Sequence, residues 1–290
     1  MNVRQPFRAG SFYESSTSSC RLHVERLYDS VELAESVPSD AVGGIVPHAG
    51  WMFSGRLAAQ TFRATLSDQI RTVVLFGADH TQSAEMGEVF DTGVWRTPLG
   101  EVEVDEELAS AVMASGDRLR SNPEAHKYEH AIEVQVPMVQ VAAPNAKILP
   151  ITLPPRAVAI EVGRTVGQVL NARDDSRAVI IGSTDLTHVG GHFGSPVQRG
   201  QETERYAADN DRTILRRIEQ MNAEGVLEEA SVNASACGAG AVAATIAACS
   251  ELGAGRGEVL EYTNSYRVVH EMNPGETDDT TVGYASVIFV

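Results

Sequence analysis

Three histidines and one cysteine stand where residue type and spacing suggest chemistry. His48 lies in Pro47-His48-Ala49-Gly50, His80 closes Gly77-Ala78-Asp79-His80, and His188 closes Ser183-Thr184-Asp185-Leu186-Thr187-His188. Each follows a short apolar run by only a few residues. Imidazole is both a ligand for divalent transition metals and, with an ordinary pKa of about 6.5, a proton carrier near neutrality. A single histidine after a strand is usually a capped surface residue. Three in equivalent positions are harder to ascribe to coincidence. Cys237, in Ala236-Cys237-Gly238-Ala239-Gly240 ahead of an alanine-rich run, is either a small buried hydrophobe or a low-pKa thiolate at a helix start. Cys20 and Cys249 fit the buried reading. Glu129-His130 opens an expected helix on which Glu133 shares the face of His130; the pair either orients the site or forms a solvated polar face. His192, in Gly190-Gly191-His192-Phe193, belongs to a lid or a turn.

For these residues to meet, the elements before them must line up. Apolar, β-branched runs that end in turn residues predict strands at Gly43–Val46, Thr72–Phe76, Lys147–Ile151, Ala178–Ile181, Val259–Tyr262 and Tyr284–Val290. Helices are expected near Ser18–Ser30, Ser54–Leu66, Asp105–Ser115, Glu129–Val141, Ala157–Ala172, Thr203–Met221 and Cys237–Cys249, and Asn122-Pro123-Glu124 reads as a cap with Pro at a first helical position. The alternation predicts an α/β fold, a single domain over residues 1–290 with a central, largely parallel sheet flanked by helices. In such sheets ligands bind at the carboxyl ends of the strands, so the three histidines are expected in one cleft. The likeness of VVLFGADHT to VIIGSTDLTH is a weak sign of an internal repeat.

Composition narrows the class. With 290 residues and 43% hydrophobic content the chain can bury a sizeable core. No apolar run reaches membrane-spanning length, and the first residues lack a signal-peptide pattern; a cytoplasmic protein is expected. Three cysteines at unrelated spacings make no disulfide framework. Net charge is −16, and Lys127 and Lys147 are the only lysines. This composition suits an ordinary acidic cytoplasmic protein or, more pointedly, a halophilic one, since high salt screens the self-repulsion of an acidic surface. It argues against nucleic acid, for which no basic stripe exists, and against anionic membrane.

These residues also carry a family resemblance. Arg4, Pro6, Ala9-Gly10-Ser11-Phe12-Tyr13, Pro47-His48-Ala49-Gly50, Phe53-Ser54-Gly55, the Gly77–His80 turn, Glu129-His130, Glu133-Val134-Gln135, Pro137, Ser183–His188, Ala236-Cys237-Gly238 and Ser265-Tyr266-Arg267 resemble, in this order, the Memo family, whose prokaryotic members are called AmmeMemoRadiSam system protein B. Trp51 stands where the family usually has Tyr, and Ala131 where it often has Ser. The family is similar in fold to the class III extradiol, LigB-type dioxygenases, which hold a non-haem iron on two histidines and a carboxylate. The resemblance implies His48 and His80 as metal ligands, His188 as acid/base, and Cys237 where the carboxylate would be. A thiolate there shifts preference towards iron, copper or zinc, iron being the first expectation. Asp185 would orient a histidine or serve as an auxiliary ligand, and Trp51, with Val46, Phe53 and Phe193, would line a pocket. Two functions follow: a metal-dependent oxidoreductase acting on an unidentified small molecule, or a non-catalytic metal carrier or peptide- or partner-binding protein using the same cleft.

Overall fold

The computed structural model describes residues 2–81, 83–173, 177–193, 201–275 and 279–290, with the side chains of residues 192 and 201 left out. Four of the apolar runs form the centre of a nine-stranded sheet. Gly43–Val46, Ala178–Ser183, Thr72–Ala78 and Lys147–Leu153 lie side by side in that order, all parallel. They are buried almost throughout, as parallel strands covered on both faces must be. Their side chains alternate between two cores. Val46, Val73, Leu75, Val179 and Ile181 pack on one face, against helices Thr17–Asp29, Trp51–Thr65 and Val136–Ala142. Ile45, Val74, Phe76, Leu149 and Ile180 pack on the other, against Val158–Ala172 and Ala239–Glu251.

The flanks of the sheet are antiparallel. Thr280–Phe289 pairs with Gly43–Val46 and also carries Gly257–Asn264 and the short strand His188–Gly190. On the far side Gly87–Val89 runs against Lys147–Leu153 and pairs with Leu119–Ser121. A separate three-stranded sheet joins Val3–Arg4 to Val94–Thr97 and Gly100–Glu103. No helix among the described residues is long and apolar enough to cross a membrane.

Register sets the site. Val46 is level with Ser183, and Phe76 with Gly182. Counting two residues on, His48 emerges level with Asp185, and His80 emerges above them from the next strand but one.

Two local expectations change. The helix expected from Glu129 starts later: Glu133–Gln135 is a 3-10 turn and the α-helix is Val136–Ala142. Pro137 has no N–H to donate back to Glu133, so it sits in the first turn. Glu129 accepts N–H groups of His130 and Ala131 with its own side chain, which holds the chain in a turn. His130 and Glu133 therefore share no helix face. His188, expected in a loop, opens a short strand opposite Val282. Asn122-Pro123 does start a helical turn, the 3-10 segment Pro123–His126.

Candidate metal centre

His48 follows its strand by one proline, and its backbone is pinned from the neighbouring strand. The N–H groups of His48 and Ala49 both donate to Asp185 Oδ1, at 2.7 and 3.2 Å. Burial pushes the Asp185 carboxyl above its ordinary value, against the pull of nearby histidines and these two N–H groups. The ring of His48 is set by a second contact. Ser183 Oγ donates its one hydrogen to Ala131 O at 2.7 Å, so it can only accept from His48 Nδ1 at 3.0 Å and from Gln135 Nε2 at 3.2 Å. Nδ1 therefore carries the hydrogen and Nε2 is left with its lone pair.

His80 is held by a different route, again through Nδ1. Its Nδ1 lies 2.9 Å from Glu129 Oε1, and its backbone N–H donates to Glu129 Oε2 at 3.0 Å. A carboxylate behind the imidazole fixes the tautomer and raises the basicity of Nε2. Burial works against protonation of His80, but Cys237 and Glu129 push its pKa up to about 10. Burial likewise opposes ionisation of Glu129, yet His80 and the backbone N–H groups hold it down at about 2.

Cys237 comes from the other side of the sheet, two residues before helix Ala239–Glu251. Gly238 makes the approach: a Cβ there would collide with the Ser183 carbonyl oxygen. The Sγ lies 3.1 Å from His48 Nε2 and 3.5 Å from the Asp185 carbonyl. Burial raises the thiol, but the charge of His48 and hydrogen bonds to His48 and His80 outweigh it and bring the pKa down to about 6. The ligand atoms of His48, His80 and Cys237 all lie within 4.8 Å of one another.

The remaining expected residues take distinct places. His130 stacks on His80, ring centroids 4.6 Å apart, and meets His48 edge-on at 5.4 Å. Burial and the two neighbouring imidazoles push its pKa down to about 3. With His80 and Glu129 it forms a second group of donors within 4.8 Å. His188 donates Nδ1–H to Leu186 O at 2.8 Å and packs edge-on against Phe193. Glu133 faces away from the cluster: it accepts from Arg4 at 2.6 Å, from the N–H groups of Phe7 and Arg8, and from the Tyr13 hydroxyl. It ties down the N-terminal segment. Trp51 stands behind the cavity wall, its Nε1–H donating to Val134 O at 3.0 Å and its ring against Tyr13. The side chain of His192 lies outside the described residues.

A cavity of about 860 Å³ opens over the cluster. His48, His80, His130, Asp185 and His188 line one part, with Phe53, Val282 and Tyr284 nearby. Another part of the wall is Gly10 to Ser16 with Ser19 and His23, which the sequence does not assign to the site. Its only signal was the Gly10-Ser11-Phe12-Tyr13 match, which names no chemistry.

Comparison with known proteins places the chain in a family. A family model described as "Memo-like protein" matches residues 4–288. A MEMO1 family protein of Thermococcus kodakarensis is 36% identical over 99% of both chains. One from Pyrococcus abyssi is 35% identical over 99% of both, and one from Methanosarcina acetivorans is 34% identical over 99% of both. With a family match from end to end, and relatives this similar over almost every residue, the chain belongs to the Memo family.

Proposed function

We propose that this protein holds a divalent transition metal, iron first and copper or zinc next, on His48 Nε2, His80 Nε2 and Cys237 Sγ. The observation that carries the reading is the matched tautomers. Both rings have Nδ1–H occupied by the protein, by Ser183 and by Glu129, so the two Nε2 atoms and one sulfur converge within 4.8 Å, and an arriving ion would displace the Nε2 proton of His80. That donor set fits a borderline or soft divalent ion. Once bound, the ion would supply Lewis acidity and redox capacity beneath the cavity.

The residues around it then divide the work of a metal-dependent oxidoreductase acting on a small molecule, in keeping with the resemblance to dioxygenases. His188, with Nδ1–H given to Leu186 O, presents Nε2 to accept or return a proton from a bound molecule. Asp185 holds the His48 backbone instead of exchanging protons with His188. Phe53 and Tyr284 supply apolar wall. The thiolate favours the second reading, a metal carrier or partner-binding protein, because it suits copper or zinc held without turnover.

The test begins with metal analysis of anaerobically purified protein. His188→Ala should then keep its metal while turnover falls by roughly 10²–10⁴-fold. Loss of metal in this variant would make His188 a ligand and end the role assigned to it. The acidic composition supports a high-salt cytoplasm, and Tm should rise from dilute buffer to molar KCl. A flat or falling Tm would remove that reading.

A further inference from the structure

The cavity has a second wall that the metal donors do not use. Glu14, just before helix Thr17–Asp29, and His23, within that helix, both line it. His23 Nδ1 lies 2.7 Å from Glu14 Oε2. A carboxylate can only accept, so Nδ1 carries the hydrogen and Nε2 remains an acceptor, with no partner among the described residues. The imidazole stands edge-on to Trp51 at 5.3 Å, and Trp51 is itself fixed by its bond to Val134. The pair is therefore held in place at the cavity.

Charge indicates what this wall would take. Among the described residues, no lysine or arginine lines the cavity. Arg8 stacks over the Phe12 ring at 4.8 Å and is not part of the wall. At each of the two helix starts that border the cavity one N–H is already engaged, Ser19 N–H on Ser16 Oγ and Trp51 N–H on Phe12 O. A phosphate or carboxylate would find no cation at this end. An ammonium group would find a carboxylate and an imidazole acceptor.

We propose that Glu14 and His23 form a distal subsite for the protonated amine of a ligand whose other end faces His48, His80 and Cys237. The proposal rests on the cavity being the ligand site, and not on the bound ion. Calorimetric titration of the full chain with tyramine and with 4-hydroxyphenylacetate, which share a phenol ring and differ in the charged end, tests it. Tyramine should bind about tenfold tighter or better, as expected for a charge-assisted hydrogen bond. Glu14→Gln and His23→Phe should each remove that advantage while leaving metal content unchanged. Equal binding of the two probes, no tyramine binding at millimolar concentration, or variants that keep the preference would each overturn the proposal. If His23→Phe lowers Tm, Glu14→Gln alone decides. Tyramine selectivity in a chain that takes up no metal would count against the metal reading and leave this subsite standing.

Discussion

His126 and the pair His48 and His80 put the same side chain in two kinds of place. His126 is fully buried beside Gly87–Val89 at the far side of the sheet. Its Nε2–H donates to Glu88 O at 2.9 Å, its Nδ1 faces the Thr152 hydroxyl at 3.4 Å, and Phe90 and Trp95 pack against its ring. Both nitrogens are committed to the protein. At the carboxyl ends of the parallel strands, His48 and His80 commit only Nδ1, to Ser183 and to Glu129. Their Nε2 atoms face Cys237 and the cavity. Burial alone does not separate the two places, since His48 is as hidden as His126 while His80 is exposed. The difference is whether the fold has used both nitrogens or one. A histidine with both engaged serves as a structural hydrogen-bonding group, whereas one held by a single nitrogen is available for chemistry.

The strongest way to break this contrast is to remove a free donor. His48→Ala or Cys237→Ser should take metal content from near one ion per chain towards none, measured after anaerobic loading and desalting. Full metal retention in both variants would mean that the free nitrogens are not ligands. A weaker intervention leaves the donors and alters what holds them. Glu129→Gln keeps an oxygen for the His80 N–H but loses the charge behind the ring. Metal affinity should fall by roughly 10–100-fold, read by competition with a chromophoric chelator. Ser183→Ala removes a neutral partner and should cost less. If Glu129→Gln binds metal like the wild type, the carboxylate is structural and the contrast with His126 loses one of its two supports.

Much of this contrast was legible in the sequence, and the part that was not has physical causes. The four parallel strands were visible because strands buried on both faces need continuous apolar runs, and Thr72–Phe76 or Ala178–Ile181 can be little else. The histidines were visible because they directly follow those runs. Ser183 and Gln135, which fix the His48 ring, gave no local signal, because only strand register and the turn after Ile132 bring them together. Glu129 was noticed but placed on a helix, since its pairing with His80 spans 49 residues of chain. Glu14 and His23 gave no local signal, one lying ahead of the helix expected from Ser18 and the other within it. The short strands Gly87–Val89 and Leu119–Ser121, three residues each, are too short for a period to register. His126, inside Pro123–His126, read as part of a turn, and nothing in that tetrapeptide indicates the core it enters.

The smallest expected effect on metal binding belongs to His126, and there the contrast can be sharpened by pH. Burial holds the His126 imidazole down at about 4, with the Arg4 charge acting the same way and the bond to Glu88 O opposing them. In the unfolded chain the group titrates at about 6.5. As pH falls from neutrality, the unfolded chain takes up this proton first, so His126 contributes stability that is fully present above about 6.5 and is lost as pH falls towards 4. Across that window the loss is up to about 1.4 kcal/mol per pH unit, and on the order of 3 kcal/mol in all. His130, also held low, adds in the same direction, while His80, held high, changes its contribution only above about 6.5, outside this window; the difference between wild type and a variant isolates His126. His126→Gln keeps an N–H within reach of Glu88 O but cannot titrate. Denaturant unfolding of chelator-treated protein should show it less stable than wild type at pH 8, with the gap closing as pH falls to 4.5. Its metal affinity should stay that of the wild type. Parallel stability curves would mean that His126 does not titrate in this range, and a fall in metal affinity would show that the two regions are coupled, removing the basis of the comparison.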